Sequence, residues 1–76
     1  MTKLTHTISA ELVGNVGAVL VAVGDAVEPT DTLVLLESMK MEIPVLAEVS
    51  GVVAEIAVSV GDTIQEGDAI AVIDKS

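Results

Sequence analysis

The sequence matches itself at an offset of 37 residues, without gaps, over essentially all of the chain after its first few positions. Gly14 coincides with Gly51, and the segment 23–25 (Val-Gly-Asp) coincides with the identical segment 60–62. Apolar character is kept between these identities: Val19 coincides with Ile56, Val27 with Ile64, Leu33 with Ile70, Leu35 with Val72 and Leu36 with Ile73. Each half is too small to bury its own apolar face, so the two halves are expected to fold against each other about a pseudo-two-fold axis.

Each half of the repeat is predicted to consist of short strands separated by turns, the first of them at Gly14 or Gly51. The apolar residues are aliphatic and often β-branched, with no aromatic side chain, and this composition favours strands over helices. No segment keeps the helical spacing of apolar residues over the length of a capped helix, because glycines and Gly-Asp pairs interrupt the pattern too often. We predict an all-β flattened sandwich or barrel. Its strands are expected over 6–10, 16–21, 26–27, 32–38, 41–46, 52–58, 63–64 and 69–74.

The length and charge of the chain limit its possible functions. Seventy-six residues allow one small domain, 1–76, because a chain this short buries only about 60% of its unfolded surface. Twelve carboxylates against three lysines give a net charge of −9, which repels nucleic-acid phosphates and anionic lipid headgroups. No apolar stretch approaches the roughly 18 residues of a membrane span, and no apolar leader follows Met1. With no cysteine either, the sequence predicts a cytoplasmic protein, monomeric by itself, that binds neither nucleic acid nor membrane.

Candidate catalytic groups and metal ligands are sparse. His6 is the single histidine, and no Ser or Cys nucleophile is indicated beside it, so a small hydrolase is the weakest interpretation of this chain. Asp25, Glu28 and Asp31 are the nearest approach to a cation site, but they fit no glycine-anchored calcium loop. Residues 14–17 lack the spacing and the following helix of a phosphate-binding loop. We therefore predict no catalytic residue and no metal site.

The junction between the halves, which span about 7–39 and 44–76, carries the most informative motif. A chain that must reverse between two strands here places Met39 and Lys40 at the tip of a hairpin. A lone exposed lysine is most often a solvated charge, but the other two lysines lie near the termini. Methionine at a hairpin tip is poorly placed for a core residue, because a tip buries little. This hairpin tip is the predicted functional site.

Ser38-Met39-Lys40-Met41 resembles the attachment signature of the biotinyl domain family, a lysine flanked by methionines and usually written Ala-Met-Lys-Met. The resemblance covers nearly the whole chain and is closest to small standalone actinobacterial biotinylated proteins and biotin carboxyl carrier proteins. It implies two quasi-symmetric four-stranded antiparallel sheets, with the lysine on the exposed turn between the halves. Some members of the family carry a protruding insertion called a thumb. The gapless repeat leaves no room for such an insertion, so the resemblance implies a thumbless domain.

The resemblance further implies that a biotin protein ligase joins biotin covalently to the ε-amine of Lys40. Met39 and Met41 would be the flanking residues that the ligase and carboxylase partners read. The implied function is that of a biotin carboxyl carrier, which moves carboxyl groups between biotin carboxylase and carboxyltransferase subunits. The chain would then be a component of a biotin-dependent carboxylase and not itself an enzyme.

Two alternatives remain open at the level of sequence. A related family uses the same fold to carry lipoyl groups, but its lysine usually follows Asp, whereas Met39 precedes Lys40 here. The hairpin could also belong to a non-modified interaction module, in which case Lys40 stays a free amine. The mass of an attached group separates all three hypotheses.

Overall fold

A computed structural model of the chain describes residues 4–75, so 1–3 and Ser76, which the predicted domain includes, lie outside the described residues. The regular secondary structure of the described part is entirely β, and no helix in it is long and apolar enough to cross a membrane. The strands are β1 (Thr5–Ser9), β2 (Gly14–Val19), β3 (Ala26–Val27), β4 (Thr32–Ser38), β5 (Met41–Leu46), β6 (Gly51–Ile56), β7 (Thr63–Ile64) and β8 (Ala69–Asp74).

The strands form two four-stranded sheets, in the orders β1-β8-β6-β3 and β5-β4-β2-β7. Every pair of neighbouring strands is antiparallel. The predicted fold class is therefore confirmed. Each sheet takes strands from both halves of the sequence, so the halves interleave instead of each forming a sheet of its own.

The offset of the sequence repeat is also the offset of the structure. Adding 37 to the bounds of β2 and β3 gives the bounds of β6 and β7 residue for residue. The irregularity in β2, between Val16 and Ala18, recurs in β6 between Val53 and Glu55. The pseudo-two-fold axis expected from the sequence thus relates strands, register and bulges alike.

The glycines that open β2 and β6 belong to the sheets and not to turns, which corrects the predicted strand bounds of 16–21 and 52–58. A β-carbon on Gly14 would lie 2.9 Å from the carbonyl oxygen of Glu37 in the neighbouring strand β4. A β-carbon on Gly51 would meet the carbonyl oxygen of Asp74 in the same way. Both positions therefore need glycine because two backbones approach closely there. The same strands end two residues earlier than predicted.

The core lies between the two sheets and is purely aliphatic, with no polar side chain buried among the described residues. Its largest fully buried members include Leu33 and Leu36 from β4 and Ile70 and Ile73 from β8, which are equivalent pairs in the repeat. Burying each such side chain contributes about 1.5–3 kcal/mol of transfer free energy. The central strands of the two sheets thus stabilise the fold in matching ways.

Four aspartates hold the tight turns that link the strands. Each accepts a hydrogen bond on Oδ2, at 2.8–2.9 Å, from the backbone N–H three residues earlier. The four donor–acceptor pairs are Ala22–Asp25, Glu28–Asp31, Ser59–Asp62 and Gln65–Asp68. These carboxylates are structural, so a third of the acidic residues in the chain need no functional explanation.

Candidate attachment site

The tip of the β4–β5 hairpin is a two-residue turn, Met39-Lys40. Ser38 at the end of β4 pairs with Met41 at the start of β5, which closes the hairpin directly below the turn. The φ angles of Met39 and Lys40 are 52° and 67°. Positive φ at both central residues is what a type I′ turn requires, and this turn matches the right-handed twist of the two strands.

The turn is built from residues that do not favour it. Type I′ turns prefer Asn-Gly or similar pairs, and a side chain in the left-handed region costs roughly 1–2 kcal/mol per residue. Neither Met39 nor Lys40 is a residue that tolerates this region well. Unfavourable backbone conformations of this kind concentrate at functional sites. The sequence predicted the tip but not the positive φ angles of its two residues. The signal for those angles was the two-residue gap between the predicted strands, because such a short connection favours a type I′ turn.

The side chains at the tip are exposed to solvent. Met39 is 90% exposed and Met41 is 58% exposed, and Lys40 between them is exposed as well. The two methionine side chains and the lysine amine between them all lie outside the core, so burial stabilises none of them. Their position is suited to recognition by another protein and to chemistry at the lysine Nζ atom.

A shallow depression beside the tip carries negative charge. Its lining consists of Asn15, Glu37, Ser38, Met39, Lys40, Met41 and Glu42. Glu37 and Glu42 form the cross-strand pair next to Ser38 and Met41, the second pair below the turn, and both are exposed. Like charges directly opposite each other destabilise a hairpin, so this pair weakens the local structure. Lys40 therefore projects from an acidic end of the sandwich.

Gly17 makes room for one of these carboxylates, a role that was not predicted from the sequence. A β-carbon on Gly17 would lie 2.9 Å from both Cγ and Cδ of Glu37, so the glutamate side chain lies against the backbone of β2. The signal was a departure from the repeat, because the equivalent position in the second half is Ala54. Gly17 thus sets where the Glu37 carboxylate lies relative to the tip.

The other sequence candidates lie away from this hairpin tip. His6 belongs to β1, in the other sheet, and its Nε2 atom lies 3.2 Å from Oε1 of Glu48. Glu48 follows β5 at the end opposite Lys40. Within residues 4–75 no three His, Asp or Glu side chains are placed to hold a metal ion. The structure therefore brings Met39, Lys40 and Met41 together and leaves His6 apart from them.

Comparison with known proteins identifies the family. The model of the biotin/lipoyl domain, described as "Biotin-requiring enzyme", matches residues 3–73. The chain belongs to the biotin/lipoyl family. This biotin/lipoyl domain is 56% identical over 43 residues to the biotinylated protein TB7.3 homolog of Mycolicibacterium smegmatis, a match that covers 57% of this chain and 61% of the relative. It is 45% identical over 40 residues to the biotin/lipoyl attachment protein of Bacillus subtilis, covering 53% of this chain and 55% of that one.

Solved structures show the same fold inside much larger carboxylases. The biotin/lipoyl domain superposes on part of the Kluyveromyces lactis urea carboxylase with a TM-score of 0.88 and 36% identity, over 96% of this chain and 6% of that one. For a single-chain, multi-domain long-chain acyl-CoA carboxylase the TM-score is 0.87 and the identity 26%, over 95% of this chain and 7% of that one. The likeness thus covers almost the whole described fold but only a small part of each carboxylase.

Proposed function

We propose that this chain is a biotin carboxyl carrier whose Lys40 is joined to biotin through an amide at Nζ. The observation that carries the proposal is the geometry of the tip, an exposed lysine between two exposed methionines on a two-residue turn. A primary amine in that position fits amide formation, because an enzyme can approach Nζ without disturbing the core. The family, and relatives named as biotinylated proteins, support biotin as the attached group.

The same geometry suits a carrier that visits two active sites. Biotin, when bound, supplies a ring that carries a carboxyl group. This chain supplies a rigid base, because β4 and β5 pair along their length from Thr32 and Leu46 to Ser38 and Met41. The Lys40 side chain adds its own rotatable bonds at the end of that base. A tethered group then reaches each site at a high effective concentration.

The proposed partners are a biotin protein ligase, a biotin carboxylase subunit and a carboxyltransferase subunit. Likeness to carboxylase chains supports the last two, since the same fold occurs there as a small part of a larger enzyme. Biotin/lipoyl domains in carboxylases carry a group and do not catalyse, so we propose that this chain is a component and not an enzyme. We also propose that it is a cytoplasmic monomer when its partners are absent, which its lack of cysteine and its net charge of −9 favour.

Met39 and Met41 are proposed to be the residues that the ligase reads. Methionine is flexible and apolar, so it can adapt to a partner surface while the backbone of the turn stays fixed. Ser38 departs from the alanine that is most common in the signature, and its side chain is only partly exposed. We expect the ligase to depend more on the two methionines than on Ser38.

A lipoyl carrier is the second candidate. The family includes both kinds of attachment, and the relative from Bacillus subtilis is named as a biotin/lipoyl attachment protein. The methionine before Lys40 favours biotin over lipoate. A non-modified interaction module would leave the exposed amine and the two exposed methionines without an explanation.

The proposal is tested by the intact mass of the chain after expression with an active biotin ligase and supplied biotin. We expect the mass of one biotinyl group, and peptide mapping should place it on Lys40 and not on Lys75. Lys40→Arg is the matched control and should stay unmodified. An unmodified chain, with the ligase shown to act on a known substrate, would overturn the proposal, and lipoylation by a lipoate ligase would support the second candidate.

A further inference from the structure

The edge strands β1 and β5 lie side by side across an apolar groove on the flank of the sandwich, which we name the β1–β5 groove. It is lined by the apolar side chains of Ile8, Leu12, Leu36, Ile43, Val45 and Leu46. Its volume is about 240 Å³. Pockets that bind small molecules usually span about 300–1,000 Å³, so this groove is better sized for a side chain from another protein.

Two carboxylates flank the β1–β5 groove. Glu11 and Glu48 both line it, both are exposed, and they are equivalent positions in the repeat. Glu48 already lies against a nitrogen donor there, because His6 on β1 places Nε2 3.2 Å from its Oε1 atom. An apolar floor between two carboxylates is complementary to an aliphatic side chain with basic neighbours. A second copy of this chain carries the same carboxylates and the same net charge of −9, which opposes self-association here.

The two walls of the groove differ in one decisive position. Pro44 lies on β5, and Thr7 is its equivalent on β1. Proline has no N–H to donate and occurs in edge strands where that N–H would face away from the sheet. Pro44 therefore protects the β5 edge against strand addition. By the pseudo-symmetry of the fold the N–H of Thr7 faces outward, so β1 is the wall that can pair with another strand.

We propose that the β1–β5 groove binds an extended segment of a partner protein, which adds to the edge of β1. The segment places an aliphatic side chain in the groove and basic side chains beside Glu11 and Glu48. Lys40 lies beyond the far end of β5, about 17 Å from Val45 at roughly 3.3 Å per strand residue. A partner held in the groove thus leaves the tip free to move. The inference goes beyond the proposed function, because it does not depend on modification of Lys40.

A capped peptide that alternates lysine and leucine over six residues is the probe. Added to the full, isotope-labelled chain, it should shift the NMR signals of β1 and of the groove but not those of Met39 and Lys40. Binding should weaken as salt is raised, because part of the attraction is electrostatic. A peptide that alternates glutamate and leucine should not bind. Absence of shifts at millimolar peptide, or shifts confined to other surfaces, would overturn the proposal.

Variants separate edge pairing from charge. Thr7→Pro, which places on β1 the residue that β5 already tolerates, should weaken peptide binding about tenfold, as expected for the loss of one or two backbone hydrogen bonds. Glu11→Gln and Glu48→Gln should each weaken it about two- to fivefold. Lys40→Ala should bind the peptide as the parent does, which keeps this test independent of biotin attachment.

A second measurement guards against misfolding of Thr7→Pro. Peptides N-methylated either at the leucines or at the lysines each lose the N–H donors along one edge of the extended strand, so one of the two should bind the unaltered chain about tenfold less well. Equal binding of both methylated peptides and the parent peptide would exclude strand addition. Unchanged peptide binding by both glutamine variants would exclude the charge pairing. If the chain associates with itself and Thr7→Pro abolishes that association, the groove binds a second copy instead of a partner segment.

Discussion

Glu37 stands directly opposite Glu42 across the β4–β5 hairpin, in the second residue pair below Met39 and Lys40. Two carboxylates in register repel each other, and neither gains from burial because both are exposed. The pair therefore lowers the stability of the hairpin that presents the lysine.

Removing one charge of this pair should stabilise the fold. Glu42→Gln is expected to raise the free energy of unfolding by about 0.2–1 kcal/mol, and the gain should shrink in high salt. Urea denaturation at low and high ionic strength measures both effects. Glu55→Gln is the matched control, since Glu55 faces Val72 and has no carboxylate opposite it. An equal gain in the control would show that net charge, and not the pair, is responsible.

Replacing Lys40 by alanine should leave the fold intact and abolish attachment. The side chain is exposed at the tip, and surface substitutions usually change stability by no more than about 0.5 kcal/mol. Urea denaturation and intact mass after co-expression with biotin ligase measure the two effects. A variant that unfolds would contradict an exposed, structurally dispensable lysine.

Relieving the strain in the turn should stabilise the chain. The double substitution Met39→Asn and Lys40→Gly installs the pair that type I′ turns prefer, at residues whose φ angles are already 52° and 67°. We expect a gain of about 1–2 kcal/mol in the free energy of unfolding, together with loss of attachment. Thermal and urea unfolding check the gain. No gain would mean that Met39 and Lys40 adopt these angles without cost.

The glycines of β2 should differ in how much they tolerate a methyl group. Gly14→Ala meets the backbone oxygen of Glu37 and is expected to cost about 1–3 kcal/mol. Gly17→Ala meets only the flexible side chain of Glu37, which can swing aside, so its cost should be clearly smaller. Parallel urea denaturation of the two variants measures the difference. Equal costs would contradict the distinction between a rigid and a movable neighbour.

The two-residue strands β3 and β7 show which parts of the fold the sequence repeat predicts correctly. β3 and β7 form at the predicted residues, because turn residues bound each of them on both sides. The start of β2 was misplaced, because Gly14 was interpreted as a turn residue while its actual role, close approach to β4, depends on a neighbour more than twenty positions away. Local chemistry decides turns, whereas backbone proximity between strands is a property of the assembled sheets.

The site was predictable to a similar extent. The gap between β4 and β5 placed Met39 and Lys40 at a tip, and the flanking methionines pointed to the family. The packing of Glu37 on Gly17 and the β1–β5 groove were not foreseen. Both require knowing which strands become neighbours, and that follows from interleaving of the halves, which no single segment of sequence reveals.

The interleaved halves also suggest how such a fold can be assembled from a smaller unit. One half alone supplies strands to both sheets and leaves both sheets incomplete. Two separate copies of a 37-residue unit with this pattern could complete each other as a strand-exchanged homodimer around a true two-fold axis. Covalent fusion of the copies turns that intermolecular axis into an internal one, and the linker that joins them is the segment at which Lys40 stands.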